Sequence, residues 1–554
     1  ALWLIYRVTG IDMALDQSLA ATLTHTQRLQ CEGRDIPWLL NQWVERTPDK
    51  VFLHWSPFDL EDASWTYAEF QQQVILVANN LAKSGVFAGD RVLIHMDNCP
   101  EFLLCWFACA HLGAIAVSTN TRSVARDLTY FAEFAEVSCA ITQPTFARLL
   151  RSAAPKIKAL FVTDGDVPDS EKNEFRPFSE LLERSTAVAT TARAADPWAD
   201  LGIQFTSGTT SRPKAVLWTH ANAVWGAQVN ATQMRLRHED CTLIVLPLFH
   251  TNAQSYSMLS TLWAGGTMVL QPRFSASRFW SVSARYSCSW ASLIPFCVKA
   301  LASQPVPEEN HYRFWGLGAH LPEVQSRYNI QTIGWWGMTE TITQGIIGDI
   351  DHPGPRLSMG RSSFAYDVRV TNEANELCGV GEKGFLTIRG VRGVSLFKEY
   401  YKNPEANRES FDQHGWFVTG DVVRFDENGN LFFCDREKDM LKVGAENVAA
   451  SEIETIIMSS GLVSECAVVA QKHDMLDEVP VAFVILSEKI PRLLNEVEQE
   501  KIKRRIIDHC VSNLADFKVV RAVHIVDSLP RSTLEKIAKN ELRDRLPLIV
   551  SASS

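Results

Sequence analysis

RVLIHMDNCPEFLLCWFACAHLGAIAVS, residues Arg91–Ser118, sets two apolar, β-branched runs on either side of a longer apolar stretch. Arg91–His95 reads as a strand. Glu101–Leu112 reads as a helix, and Gly113 stops it. The run Phe102–Ser118 is also the most membrane-like part of the chain. His111 and Gly113 interrupt it, and it falls short of the roughly 20 apolar residues that a spanning helix needs. The stretch therefore reads as strand, buried helix, turn and strand.

The same theme continues outward. Val137–Ile141, Ala159–Thr163, Leu243–Leu246, Thr267–Leu270 and Trp290–Ile294 read as strands, with helical stretches between them. Such alternation predicts an α/β fold of mostly parallel sheets covered by helices. Ligands of such sheets sit in the loops at the carboxyl ends of strands. Near residues 430–440 the character changes: LFFCD is followed by the charged REKDMLK. A smaller segment follows, with a helix from Ala450, strands at Cys466–Val469 and Val481–Leu486, and a charged helix at Glu496–His509. The predicted division is an N-terminal extension over 1–35, a large domain over 36–436 and a small, mobile α+β domain over 437–554. The apolar ALWLIYRVTG precedes Met13. Met13 reads as a native start, so nothing is built on the residues before it.

A hydrophobic share of 46% over 554 residues suffices for several cores. The net charge of −10 leaves no basic footprint for nucleic acid. Twelve cysteines without a C-x-x-C pair read as scattered reduced thiols, not as a disulfide framework or zinc site. With no export signal and no membrane span, the expected location is the cytoplasm.

Four segments carry chemistry. TSGTTSRPKA, Thr206–Ala215, follows the strand-like LGIQF and holds five hydroxyl side chains before Arg212. Glycine lets a backbone approach phosphate closely, hydroxyls donate hydrogen bonds to its oxygens, and Lys214 adds a charge. Any polar hairpin loop has a similar composition, and Walker A spacing is absent. GWWGMTET spans Gly334–Thr341, with GLGAHLP upstream of it. GWFVTGD, Gly415–Asp421, and DREKD supply Asp421, Arg436 and Lys438. LPRSTLEKIAK, Leu529–Lys539, supplies Lys536. Taken singly, these residues read as core tryptophans, a helix cap or solvated lysines.

Their order along the chain resembles the adenylate-forming superfamily of acyl-CoA synthetases, adenylation domains and luciferases, over about residues 36–546. The resemblance implies that Thr206, Ser207, Gly208, Thr209, Thr210 and Lys214 hold the phosphates of ATP. Ser211 and Ala215 stand where glycine is usual. Gly318 and Ala319 would lie against adenine and Trp336, in place of tyrosine, would pack on it. Thr339 would meet phosphate, and Glu340 would hold Mg²⁺. Asp421 would accept from both ribose hydroxyls, a carboxylate suiting a vicinal diol, and Arg436 would bind ribose or phosphate. Lys438 is implied as the hinge. Lys536 is implied as the catalytic lysine that bridges the substrate carboxylate and the α-phosphate. Glu535 precedes it where glycine is usual.

Two further segments complete the resemblance. LPLFH, Leu246–His250, matches the loop whose histidine gates the path between thiol and acyl pocket. KVGAENV, Lys442–Val448, matches the loop along coenzyme A, with Lys442, Gly444 and Ala445 facing it.

The implied function is ATP-dependent acid–CoA ligation, with ATP, Mg²⁺ and coenzyme A taking part. HMDNCPEFLLCWF, TSGTTSRPK, GMTETI and IIGD look most like the carnitine and crotonobetaine CoA ligase branch. This favours a small or medium carboxylic acid. His250, Tyr256 and Trp335 are candidates for the acyl pocket, and Asp349 for a countercharge to a quaternary ammonium. Sixteen tryptophans suit bulky apolar acids equally well. Two other readings are adenylation with a carrier-protein thiol or amine as acceptor, and a non-catalytic nucleotide or acyl-CoA sensor. Only Glu535 and Trp336 support the sensor. Family members often form homodimers, but no segment marks an interface.

Overall fold

The computed structural model describes residues 24–163, 175–184, 193–206, 213–436, 439–443, 446–473, 477–488, 490–491, 494–514, 518–531 and 537–551. Ser207, Gly208, Thr209, Thr210, Lys438, Gly444, Ala445 and Lys536 lie outside them. The chain divides into two compact units. The first comprises Ala1–Thr206, Lys214–Val368 and Ile388–Trp416; the second comprises Ser207–Pro213, Arg369–Thr387 and Phe417–Ser554.

Two sheets build the first unit. One is nine-stranded, in the spatial order Arg361–Ser362, Ile346–Ile347, Gln331–Trp336, Phe314–Leu317, Trp290–Ser292, Cys241–Ile244, Thr267–Leu270, Val51–Trp55 and Ala63–Thr66. The other is eight-stranded: Glu399–Tyr400, Lys214–Thr219, Asp200–Thr206, Ile115–Ser118, Arg91–His95, Val137–Thr142, Ala159–Val162 and Arg176–Pro177. The interior strand pairs are parallel, and antiparallel pairs lie toward the edges. This is the expected α/β architecture.

The membrane-like stretch folds as the helix Pro100–Leu112 and the strand Ile115–Ser118. Gly113 caps the helix at φ 77°, a left-handed conformation that glycine takes at little cost. Phe102 through Ala110 are all buried, which is why no polar face interrupts the pattern. No helix among the described residues is long and apolar enough to cross a membrane. Trp290–Ile294 was expected to be a strand throughout but pairs only to Ser292, because Ile294, Pro295 and Phe296 turn outward. Leu243–Leu246 is displaced to Cys241–Ile244, the register that matches Thr267–Leu270 residue for residue.

One carboxylate pins the amino ends of three neighbouring parallel strands. Asp240 lies just before Cys241–Ile244 and is buried. It accepts from Arg313 Nε at 3.0 Å and Nη2 at 2.6 Å, just before Phe314–Leu317. Ser289, just before Trp290–Ser292, donates to it at 2.7 Å. All twelve cysteines are free and buried. Burial pushes several of these thiols up, Cys139 to about 12, so they pack as small hydrophobes.

Asp367–Thr371, Gly384–Arg389, Phe417–Phe425 and Leu431–Arg436 form a four-stranded sheet, most of whose residues belong to the second unit. In a five-stranded sheet, Asp477–Leu486 pairs with Val463–His473 over ten register positions and with Ala522–Ile525 in parallel. The hairpin Met440–Val443 with Glu446–Ala449 joins at Val443. The helix Glu496–Asn513 buries Ile502, Ile506 and Cys510 at four-residue spacing and starts with an Asn495/Glu498 capping box.

Two fully buried histidines stay neutral. Burial lowers His95 to about 4. Burial, and then the Arg193 charge, lower His220 to about 3. The unfolded chain, titrating near 6.5, binds these protons at higher pH than the folded chain does. Stability should therefore decline as pH falls below 6.5, with the His95 share gone by about pH 4. That share is on the order of 3 kcal/mol. Denaturant unfolding across this range should show that slope, and His95→Gln should flatten it.

Candidate active site

The strand Asp200–Thr206 delivers the Ser/Thr-rich loop, and Lys214 opens the return strand. Two residues, Glu399–Tyr400, pair antiparallel with that return strand, Tyr400 opposite Val216. This brings the Tyr400 ring to 4.6 Å from Lys214 Nζ, an attractive cation–π distance. The Tyr400 hydroxyl donates to Glu340 Oε1 at 2.8 Å. Burial and then the neighbouring Glu340 charge push this hydroxyl far up, so it remains a donor. Tyr400 thus links the phosphate-loop lysine and the GMTET glutamate. It was not among the residues expected from the sequence.

Glu340 is 4% exposed. Its carbonyl accepts from Phe397 N at 2.8 Å, and the Thr339 carbonyl accepts from Trp218 Nε1 at 2.9 Å. The turn that follows is strained. Ile342, a β-branched residue, sits at φ 62°, a conformation costing about 1–3 kcal/mol. Its carbonyl accepts from Ser255 Oγ at 2.6 Å, and the Tyr366 hydroxyl donates to the Thr341 carbonyl. A Cβ on Gly226 would lie 2.6 Å from the Ile342 side chain, so only glycine leaves that turn its room.

Among the described residues no cluster of three or more His, Cys, Asp or Glu could hold a metal ion. Glu340 supplies one hard oxygen donor. That donor set fits Mg²⁺ arriving with nucleotide phosphates and does not form an all-protein cage.

Gly318 and Ala319 follow the strand Phe314–Leu317, and a Cβ on Gly318 would meet nothing within 4 Å. Trp336 ends Gln331–Trp336 and is buried. His250 is half-buried after Cys241–Ile244, its ring centroid 4.6 Å from that of Phe249. Its carbonyl accepts from Gln254 N at 3.0 Å. A π-helix, Asn252–Leu259, starts two residues later.

A buried relay joins Thr251 and Gln254, just after His250, to the strand Asp200–Thr206, and sequence reasoning missed it. Thr251 Oγ1 donates to Gln204 Oε1 at 2.7 Å, and Gln204 Nε2 donates to Gln254 Oε1 at 2.8 Å. Gln254 Nε2 donates to Ser118 Oγ at 3.1 Å. The signal was a glutamine inside the apolar LGIQF run.

Tyr256, on the π-helix, and Trp335 are buried edge to face with ring centroids 5.9 Å apart. A Cβ on Gly316 would lie 1.5 Å from Trp335 Cη2, so the indole fills the space above that glycine. Asp349 is exposed and pairs with Arg235 at 2.7 Å, which already meets its charge.

In the second unit, Asp421 stands opposite Arg436 in the antiparallel pair Phe417–Phe425 with Leu431–Arg436. Asp421 is buried, and its N–H donates to Thr419 Oγ1 at 3.1 Å. Gly420 adopts φ 72° within the strand Phe417–Phe425, a conformation open to glycine at little cost. Lys442 stands opposite Asn447 in the hairpin.

The AMP-binding enzyme family model matches residues 40–401, and its C-terminal domain model matches 452–536. The chain is similar to the crotonobetaine/carnitine–CoA ligase of Salmonella paratyphi A (strain ATCC 9150 / SARB42). The two are 32% identical over 528 residues, covering 92% of this chain and 99% of that protein. Its fold matches o-succinylbenzoate CoA synthetase (MenE) of Bacillus subtilis in complex with ATP and magnesium ion. That match has a TM-score of 0.77 at 25% identity and covers 91% and 99% of the two chains. ATP-bound MatB of Rhodopseudomonas palustris matches with a TM-score of 0.79 at 25% identity over 91% and 98%. The chain belongs to the AMP-binding enzyme family of adenylate-forming ligases. Its activity is that of an AMP-forming acid–thiol ligase, with ATP, Mg²⁺ and coenzyme A as the small molecules it uses.

Gln204→Leu should leave the Thr251 hydroxyl and the Gln254 amide short of partners. The expected loss is about 1–3 kcal/mol of stability for each group left unsatisfied. Denaturant unfolding of Gln204→Leu beside Gln204→Glu, which keeps acceptors, would measure it.

Proposed function

We propose that the chain activates a small or medium carboxylic acid in the cytoplasm and passes it to coenzyme A. The observation that carries the size limit is the Trp335 indole in the space over Gly316, with Tyr256 packed against its edge. A pocket bounded there has little depth for a long acyl chain. The 32% identity to a crotonobetaine/carnitine–CoA ligase makes betaine-type acids the first substrates to try. The ion pair already made by Asp349 argues that any cationic group is met by aromatic faces and not by this carboxylate.

In this reading the acid carboxylate attacks the α-phosphorus of ATP and pyrophosphate leaves. Thr206, Ser207, Gly208, Thr209, Thr210, Lys214 and Thr339 hold the phosphates. Gly318, Ala319 and Trp336 hold adenine, Asp421 holds the ribose hydroxyls, and Arg436 holds ribose or phosphate. Glu340 holds the metal, which when bound neutralises phosphate charge. Lys536 bridges the carboxylate and α-phosphate as negative charge builds there. With Lys438 as hinge, the small domain over 437–554 then presents Lys442, Gly444 and Ala445 to the pantetheine of coenzyme A, and His250 gates the thiol's path. The thiol attacks the mixed anhydride, and AMP leaves. One fold thus serves two half-reactions by domain closure. The net charge of −10 supports a function without nucleic-acid partners, and the family resemblance supports a homodimer.

A panel of carboxylic acids with MgATP, reading pyrophosphate and AMP release with and without coenzyme A, tests the reading. Acid-dependent pyrophosphate release is expected, with AMP release requiring coenzyme A. Lys536→Ala should lower it by about 10²–10³-fold. Absence of pyrophosphate across the panel, with ATP still bound, would refute the proposal. Trp335→Ala should move the preferred acid about two carbons longer, raising kcat/KM for longer acids at least about tenfold. An unchanged chain-length profile would remove Trp335 from the pocket.

A further inference from the structure

The residues expected to handle phosphate and metal come from distant parts of the chain. Lys214 follows the phosphate loop, and Glu340 follows the strand Gln331–Trp336. Tyr400 touches both. Its hydroxyl is 2.8 Å from Glu340 Oε1, and its ring centre is 4.6 Å from Lys214 Nζ. It is held rigidly: Tyr400 N donates to Asn407 Oδ1 at 2.7 Å, and Asn407 Nδ2 donates to the Tyr400 carbonyl at 2.9 Å. Tyr401 N donates to the Ala215 carbonyl at 2.8 Å, and Phe397 N reaches the Glu340 carbonyl. The Tyr400 ring packs 4.7 Å from Phe397. The segment Phe397–Tyr401 is thus tied to the backbone of both motifs.

We propose that Tyr400 is a positioning residue for MgATP: its hydroxyl orients the Glu340 carboxylate toward the metal that accompanies ATP, and its ring fixes the Lys214 ammonium for the phosphates. A carboxylate with one oxygen held by a fixed donor presents the other in a single direction. Outer-shell donors of this kind govern metal affinity. The cation–π contact restrains a flexible lysine at a modest energetic return. This inference rests on the roles of Glu340 and Lys214 given under the proposed function.

The test is ATP titration by calorimetry with and without Mg²⁺, in the absence of acid and coenzyme A, so that no turnover enters. Tyr400→Phe keeps the ring and deletes the hydroxyl. It should weaken ATP binding in Mg²⁺ by about 10–100-fold and leave Mg²⁺-free binding within about twofold of the parent. Tyr400→Leu should also weaken Mg²⁺-free binding, by about two- to fivefold. Thermal melts of both variants check the fold. If Tyr400→Phe binds MgATP like the parent, or loses ATP equally with and without Mg²⁺, the positioning role is overturned. Glu340→Gln separates the two levels of the argument. Loss of the Mg²⁺ effect in Glu340→Gln but not in Tyr400→Phe refutes this inference alone. Retention of the effect in Glu340→Gln refutes the metal role of Glu340, and this inference with it.

Discussion

The pairing of Glu399–Tyr400 with Lys214–Thr219 costs the chain two residues of edge strand, yet it fixes where charge sits in the first unit. An edge strand can add such a partner because its outer N–H and C=O groups are otherwise unpaired. Here the pairing carries an aromatic ring between an ammonium and a carboxylate drawn from segments far apart in sequence. Without it, Lys214 would be a flexible cation with several rotamers to lose on binding phosphate. Glu340, at 4% exposure, would lack the phenol as a donor, and buried carboxylates are costly when poorly partnered. The placement of both charged groups is therefore set by contacts within the protein.

The strained turn at Ile342 belongs to the same economy. Its carbonyl is held by Ser255, and the Thr341 carbonyl by Tyr366. A β-branched residue in the left-handed region persists only where surrounding contacts over-determine it. Those contacts link the π-helix to the GMTET loop, so Tyr256 and Glu340 share one framework. The relay from Ser118 through Gln254 and Gln204 to Thr251 ties the other end of this region to the strands Ile115–Ser118 and Asp200–Thr206. Each member is buried, and a buried network stabilises only when its members are satisfied.

Much of this was legible in the sequence. Apolar runs such as RVLIH and AIAVS announced strands, and the motif residues could be named because their side-chain chemistry and order are distinctive. The α/β architecture followed from alternation alone. Strand ends were less legible: Trp290–Ile294 is mostly apolar, but its residue pairing with Phe314–Leu317 ends at Ser292. Tyr400 was not legible, because a two-residue strand has no periodicity and its partner Glu340 lies 60 residues away. Nor was the glutamine relay, since a glutamine in an apolar run reads as an exception until its partners are seen. Tyr256 and Trp335 were read as pocket candidates, but a sequence does not show that the indole occupies the volume over Gly316.

The π-helix Asn252–Leu259 has an evolutionary consequence. Its wider turns hold one more residue per repeat than an α-helix would. A chain that lost a single residue here could close to α-geometry and keep both ends of the element in place. The side chains flanking the deletion would keep their directions, and those inside the wide turns, Tyr256 among them, would be reoriented. Tyr256 would then leave the Trp335 edge. A one-residue length change in this segment is thus a route by which related sequences could replace the ring packed on Trp335 without altering any strand.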